Sequence, residues 1–219
     1  MASLDVARCQ CQLEEEGWEA AAQFGEKLRL EISRISGILA PGEELLEVPG
    51  VVEYDPTRIV INVRELGITG FEAAEWLRRE RKVLVEMADF QNLVLILGPV
   101  SDEKAAEVLL EGLGSMAADC TTRSSAGRRF LPDPLQLDIP QQVITPREAF
   151  FAPHSLVPWE SALGKTAAEV VAPYPPGVPV ICPGERIQEE VLEFLQKWDA
   201  AGGIWPGKSR GLIKIVAGS

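Results

Sequence analysis

The residue best placed to do chemistry is a glutamate in the last fifth of the chain. Glu185 directly follows Pro183-Gly184, and more prolines and glycines precede it between residues 173 and 179. Rigid loops of this composition often position functional groups. The same carboxylate could instead only add negative charge at the N-terminus of the following helix. The residues alone leave both roles open.

His154 is the second candidate and the one histidine of the chain. It stands in the segment Ala152-Pro153-His154-Ser155, where it could act as a general base or serve as an ordinary loop residue. The sequence around it offers no further catalytic motif. GxGxxG, GxxxxGK[ST], GxSxG and HExxH are all absent.

The four cysteines, Cys9, Cys11, Cys120 and Cys182, do not form a metal-binding pattern. Cys9 and Cys11 are two residues apart in a helical stretch, so their side chains point in different directions. The sequence has no second close pair of cysteines that would complete a zinc site, and its one histidine could supply only one further ligand. We therefore expect no metal site, and four free buried thiols in a reducing cytosol.

Composition narrows the class of protein further. The chain has 219 residues, of which 46% are hydrophobic, and this suits one large or two small domains. The net charge of -12 argues against nucleic acid as a partner. No apolar run approaches the roughly 20 residues of a membrane-spanning helix. The first residues lack a signal-peptide pattern, and we expect a cytoplasmic protein that does not contact a membrane.

The elements of the first part alternate between helix and strand. Apolar residues recur at helical spacing over residues 1–36, with Gly37 as the stop. Residues 45–52, 58–63, 83–87 and 93–97 are predicted to be extended. Helices are predicted after Thr69-Gly70 and after Ser101 as cap, with Asp102 and Glu103 in the first turn. This order predicts a small mixed sheet covered by helices.

The second part is separated by a polar, proline-containing stretch. Helix starts are predicted at residues 145–148, 155–158 and 166–169 from their capping patterns. An edge strand is predicted over 178–182, a helix from Ile187 to Trp198 and a last strand over 212–216. The chain is thus predicted as α/β (α+β), with domains 1–118 and 144–219 and a linker over 119–143.

Four segments of the second part, taken in order, resemble a known family. They are similar to the C-terminal domain of the bacterial ornithine/lysine/arginine decarboxylases. Residues 1–8, 55–63 and 85–89 resemble the linking helix and small-domain strands of the same enzymes. The resemblance covers nearly the whole chain except the linker. The four segments are residues 146–152 (PREAFFA), 157–158 (VP), 172–179 (APYPPGVP) and 183–187 (PGERI).

The resemblance implies a carboxy-lyase of polyamine metabolism with the fold type I of pyridoxal phosphate enzymes. In that family the Schiff-base lysine lies in a large domain, typically within Ser-x-His-Lys. No His-Lys pair occurs among these 219 residues. The resemblance therefore implies no catalytic lysine in this chain, pyridoxal phosphate bound by the parent enzyme rather than by this chain alone, and a missing large domain or another decarboxylase subunit as partner.

The resemblance also assigns a substrate-binding role to three residues. Glu185 matches a glutamate implicated in binding the distal cation of the substrate, and Gly184 and Tyr174 would shape its loop. A basic amino acid would be the substrate, since an amine or guanidinium in a partly dry cleft needs a carboxylate partner. Trp159 and Lys165 depart from the usual aliphatic residue and arginine, which leaves the choice among arginine, lysine and ornithine open.

Three functions follow from these observations. The first is the C-terminal portion of a decarboxylase, inactive alone, with an exposed apolar surface for the large domain that includes Cys11, Trp18 and Phe24. The second is a binding or regulatory module that keeps the family fold without catalysis. The third is an independent enzyme that uses His154 with Glu185. The family's assembly into dimers or larger complexes is compatible with a homo-oligomer.

Overall fold

The chain folds into two compact units, Met1–Arg129 and Phe130–Ser219. The computed structural model describes residues 1–13, 15–99, 102–123, 137–174, 177–203 and 210–218. The helices are α1 Ala2–Leu13, α2 Glu15–Ile32, α3 Gly70–Arg81, α4 Glu103–Arg123, α5 Pro146–Phe151 and α6 Glu189–Ala200. The strands are β1 Arg58–Asn62, β2 Met87–Ala88, β3 Asn92–Ile96, β4 His154–Pro158 and β5 Leu212–Val216. The predicted α+β class is confirmed.

The sheet of the first unit is antiparallel, not mixed as the alternation of elements predicted. Its order is β1-β3-β2, and β3 runs antiparallel to both neighbours. The chain passes from β1 through α3 to β2, which lies two positions away from β1 in the sheet. β3 follows β2 after a tight turn and pairs with both strands from the position between them. The two strands joined by the helix are therefore parallel in direction but never adjacent.

Helix α3 begins where its sequence predicted, at a capping box. The Thr69 hydroxyl accepts a hydrogen bond from the Glu72 amide at 3.0 Å, and the Glu72 carboxylate accepts from the Thr69 amide at 2.7 Å. Thr69 is only 1% exposed. A Cβ on Gly70 would overlap the carbonyls of Asn92 and Asp89, so glycine lets the helix start against the hairpin.

The core of the first unit lies between the helices and one face of the sheet. α2 buries Leu28 and Ile32, whereas α1 buries no residue at all. The residues predicted as one helix over 1–36 form α1 and α2, and residue 14 lies outside the described residues. The buried members of this core from the other elements are Ile38, Ala40, Ile59, Ile61, Val63, Ala73, Leu77, Ala88, Leu93, Leu95, Leu109, Leu113 and Met116.

Several boundaries in the first unit differ from prediction. Residues 45–52 are not extended: a 3-10 turn covers Glu43–Glu47, and Gly50 has a left-handed φ of +94°. The predicted strand over 83–87 shrinks to Met87–Ala88. Asp102 caps α4 from outside the helix, because its carboxylate accepts from the amides of Lys104 and Ala105. The predicted cap Ser101 lies outside the described residues.

The domain boundary remains a prediction in part. α4 continues to Arg123, so the first residues of the predicted linker 119–143 are helical. Residues 124–136, the middle of that linker, lie outside the described part of the chain. Among the described helices, none is both long and apolar enough to cross a membrane.

The second unit is built around β5, whose predicted bounds are confirmed. β4 pairs with one side of β5 in antiparallel register, from His154↔Val216 to Pro158↔Leu212. On its other side, β5 pairs with Ala167 through an isolated bridge. Residues 155–158 lie in β4, and the helix predicted to follow them is only a short 3-10 helix, Trp159–Ser161. At the predicted start over 166–169, Thr166 and Ala167 form bridges to Arg186 and β5 instead, because this pairing overrides the local capping pattern.

The helix start predicted at residue 145 is confirmed, whereas the helix predicted from Ile187 begins two residues later. Thr145 and Glu148 form the predicted capping box of α5, in which the Thr145 hydroxyl accepts a hydrogen bond from the Glu148 amide at 3.2 Å. α6 begins at Glu189, slightly later than predicted, and buries Val191, Leu192 and Phe194. The predicted edge strand over 178–182 is reduced to one bridge between Ile181 and Val171.

We expect Thr69→Ala to lower the unfolding free energy of the first unit by about 1 kcal/mol, because a buried cap would be lost. Thr69→Ser keeps the hydroxyl and serves as the matched control. Urea unfolding followed by circular dichroism measures both variants. Equal midpoints for wild type and Thr69→Ala would show that the capping box contributes nothing.

Candidate functional site

The candidate site is a tight turn formed by residues 182–185. The Glu185 amide donates to the Cys182 carbonyl at 3.2 Å, which closes a four-residue turn. Pro183 occupies its second position, and Gly184 occupies its third with a φ of +89°. This arrangement is the signature of a type II turn, in which proline sets the first bend and glycine accepts the left-handed one.

Gly184 is also fixed by the backbone packed against it. A Cβ at this position would overlap the Ile144 carbonyl, and the glycine is buried. Its amide donates to the Ala167 carbonyl at 2.8 Å, and its carbonyl accepts from the Val143 amide at 2.7 Å. The predicted site residue Gly184 thus joins two segments of the second unit at the turn, and the fold admits no larger residue there.

The turn holds the carboxylate of Glu185 in one orientation. Its Oε2 accepts a hydrogen bond from the Cys182 amide at 2.6 Å, and the residue is half-buried. In the part of the chain that the structure describes, Oε1 has no hydrogen-bond partner, and no lysine or arginine pairs with the carboxylate. A half-buried carboxylate with one fixed and one open oxygen is prepared to bind an external cation.

Cys182 is the neighbour that sequence reasoning missed. Its amide supplies the hydrogen bond to Glu185, so its contribution comes from the main chain. Burial raises the pKa of the Cys182 thiol, and the adjacent Glu185 carboxylate raises it further. A raised pKa makes this thiol less reactive at neutral pH than an ordinary cysteine. The Pro-Gly dipeptide predicted the turn, but it gave no signal for this main-chain donor.

The four cysteines are free, as predicted, but none is fully buried. Cys9 and Cys11 are exposed on α1, and Cys120 and Cys182 are half-buried. The expectation of four buried thiols was wrong: α1 buries no residue, which leaves Cys9 and Cys11 exposed, and Cys120 and Cys182 are only partly covered. Among the described residues, no group of three or more His, Cys, Asp or Glu side chains could hold a metal ion.

Tyr174 lies in the loop next to the turn. Val171 bridges to Ile181, directly before Cys182, and this pairing places the start of the proline-rich loop beside the turn. The Gly177 amide donates to the Pro173 carbonyl at 3.0 Å, and the side chain of Tyr174 is 47% exposed. Within the described chain, no hydrogen bond or ring contact joins Tyr174 to Glu185.

His154 is separated from Glu185 by two backbone segments. It begins β4 and pairs with Val216 of β5, and β5 in turn pairs with Ala167. Ala167 then donates to the Glu185 carbonyl. The His154 ring is exposed, and its Nδ1 lies 3.3 Å from the Ala152 carbonyl. In this order of pairing, His154 and Glu185 are not direct neighbours.

Comparison with known proteins shows which family the chain resembles. Residues 133–212 match the family model described as Orn/Lys/Arg decarboxylase, C-terminal domain. The chain is 34% identical to an arginine decarboxylase of Bacillus anthracis over 206 residues, covering 92% of this chain and 41% of that protein. It is 35% identical to an arginine decarboxylase of Bacillus subtilis, covering 90% and 40%. The chain is thus similar to the Orn/Lys/Arg decarboxylases, and residues 133–212 match the C-terminal domain of that family.

Solved structures show the same fold. A lysine decarboxylase of Francisella novicida matches with a TM-score of 0.68 at 19% identity, covering 92% of this chain and 40% of that one. The constitutive lysine decarboxylase of Escherichia coli matches with a TM-score of 0.66 at 20% identity, covering 98% and 43%. The chain therefore spans about two fifths of the length of these relatives.

We expect Gly184→Ala to destabilise the second unit by at least about 2 kcal/mol, through left-handed strain and overlap with the Ile144 carbonyl. The control is Gly164→Ala, which has a similar φ of +73° but open space around the Cβ position. That variant should lose only about 1 kcal/mol. Thermal unfolding measures both, and equal losses would contradict the packing argument.

Proposed function

We propose that this chain supplies the substrate-selecting portion of a basic amino-acid decarboxylase that uses pyridoxal phosphate. The observation that carries the proposal is the Glu185 carboxylate, which is held by the Cys182 amide and unpaired with any cation of the described chain. The named relatives are arginine and lysine decarboxylases, whose substrates carry a distal cation. Glu185 would bind that cation.

The chemistry of this role follows from the geometry of the turn. Oε2 is occupied by the Cys182 amide, so Oε1 would accept the hydrogen bond from a guanidinium or ammonium group. Such a charge-assisted bond contributes about 1.5–3 kcal/mol. Because the turn already fixes the carboxylate, little side-chain entropy would be lost on binding. Glu185 would thus orient the substrate without taking part in the bond-breaking step.

The described residues do not fit covalent attachment of pyridoxal phosphate. When bound in an enzyme, this cofactor accepts the electrons released as the substrate loses carbon dioxide. It needs a desolvated lysine, yet Lys27, Lys82, Lys104, Lys197 and Lys214 are exposed, and Lys165 is half-buried. The sequence also lacks the family's His-Lys pair. Cofactor attachment would therefore belong to a large domain outside these residues.

The surface of α1 supports a partner of this kind. The helix buries none of its residues, and Leu4, Val6 and Leu13 are 68%, 56% and 80% exposed. Of the residues predicted to form the docking surface, Cys11 and Trp18 are exposed, while Phe24 packs against the core of the first unit. A helix that leaves these apolar side chains exposed favours association with another folded surface.

The test is a chimera in which this chain replaces the matched two fifths of the Bacillus subtilis arginine decarboxylase. Carbon dioxide release would be measured with arginine, lysine and ornithine, for the chimera and for this chain alone. We expect turnover by the chimera only. Carbon dioxide release by the chain alone would contradict the proposal, as would an inactive chimera that is soluble and carries the cofactor.

Variants of Glu185 test its role in that chimera. We expect Glu185→Gln to raise KM about ten- to hundredfold for the preferred substrate, since the charge is lost while the Cys182 hydrogen bond is kept. Glu189→Gln, an exposed carboxylate in the first turn of α6, is the matched control. An unchanged KM in Glu185→Gln for all three amino acids would leave Glu185 with only a structural role.

A further inference from the structure

A cleft of about 400 Å³ opens in the first unit beside the end of β3. Its floor is apolar and comes from α2 and α4, with Phe24, Leu28 and Leu109 among the lining side chains. One wall is the last part of β3 with the residues after it, and the opposite wall is the segment 83–86. This volume lies within the usual range for protein binding sites.

The cleft exists because the pairing of β2 with β3 stops early. Met87 opposes Val94 in the strand register, and the Glu86 amide also donates to the Val94 carbonyl at 2.9 Å. Two residues opposite one is the pattern of a β-bulge, which bends the strand and ends regular pairing. Segment 83–86 therefore diverges from β3, although sequence analysis predicted it as a strand.

The divergence leaves main-chain groups of β3 unpaired. The Leu97 amide donates to the Thr57 carbonyl, so Leu97 faces β1. Along an antiparallel strand, neighbouring residues direct their N–H and C=O groups to opposite sides. Ile96 therefore directs its N–H and C=O away from β1 and toward the cleft, where they have no partner among the described residues. Such an edge can accept an additional strand.

The rim of the cleft carries negative charge. Glu86 and Asp102 line it, and both residues are exposed. The Asp102 carboxylate accepts from two amides at the start of α4, whereas the Glu86 carboxylate has no partner in the described chain. An apolar floor, an open strand edge and a carboxylate rim together complement an extended peptide with apolar side chains and basic ends.

We infer that this cleft binds an extended peptide segment, rich in β-branched residues and flanked by lysine or arginine, as an added strand beside Ile96. The N–H and C=O of Ile96 pair with the main chain of the segment. Its alternate apolar side chains lie on Leu28 and Leu109, and a basic end meets Glu86. The inference is independent of the function proposed for Glu185, because it uses other residues.

The probe is the synthetic peptide acetyl-KVSVSVK-amide, titrated into the full chain by isothermal calorimetry. We expect saturable binding, and about tenfold weaker binding for Ile96→Pro, which removes one N–H group. That amide is not used by β1, so proline there spares the sheet. Ile96→Val, which keeps the amide, is the matched control. Glu86→Gln should weaken binding about threefold.

A second arm tests the mechanism without altering the protein. The same peptide N-methylated at alternate residues cannot pair as a strand, and acetyl-EVSVSVE-amide reverses its charge. Both should bind at least about fivefold more weakly. Equal binding of the N-methylated peptide would overturn strand addition in favour of a simple apolar ligand. No saturable binding of acetyl-KVSVSVK-amide would overturn the inference, and so would self-association of the chain that Ile96→Pro abolishes.

Discussion

The steric constraint at Gly184 governs the arrangement of the second unit. The glycine is buried at a left-handed φ, with the Ile144 carbonyl where a Cβ would stand. Because no side chain intervenes, its amide and carbonyl reach Ala167 and Val143 directly. Ala167 in turn bridges to β5, which pairs with β4. The 182–185 turn is thus linked through Gly184, a residue without a side chain, to Ala167, and through Ala167 to β5 and β4.

The same turn explains why a glutamate at this place differs from one on an ordinary helix surface. The Cys182 amide fixes one oxygen, and no cation of the described chain neutralises the charge. Burial and the Glu185 carboxylate raise the pKa of the Cys182 thiol, which disfavours a second anion beside Glu185. The arrangement provides one oriented carboxylate, and the proposed binding of a cationic substrate rests on this feature.

Local signals predicted the elements whose stabilising contacts are themselves local. The helix start at Thr69 and the capping box at Thr145 lie where the sequence places them. β5 was predicted from its β-branched run, although its pairing partners are distant in sequence. The capping pattern at Thr166 failed because pairing with Arg186 and β5 competes with helix formation. The bulge at Glu86 could not be predicted, because it depends on how β3 meets β2. The Pro-Gly dipeptide predicted the site's turn, but the donor to Glu185 is a main-chain group without a sequence signature.

The most direct measurement is a crystal structure of the chimeric decarboxylase with its preferred basic amino acid bound. We expect Glu185 Oε1 to lie within about 3 Å of the distal nitrogen of the substrate, with the Cys182 hydrogen bond still in place. A structure in which Glu185 contacts only Cys182, while another residue binds the distal cation, would show that Glu185 does not select the substrate.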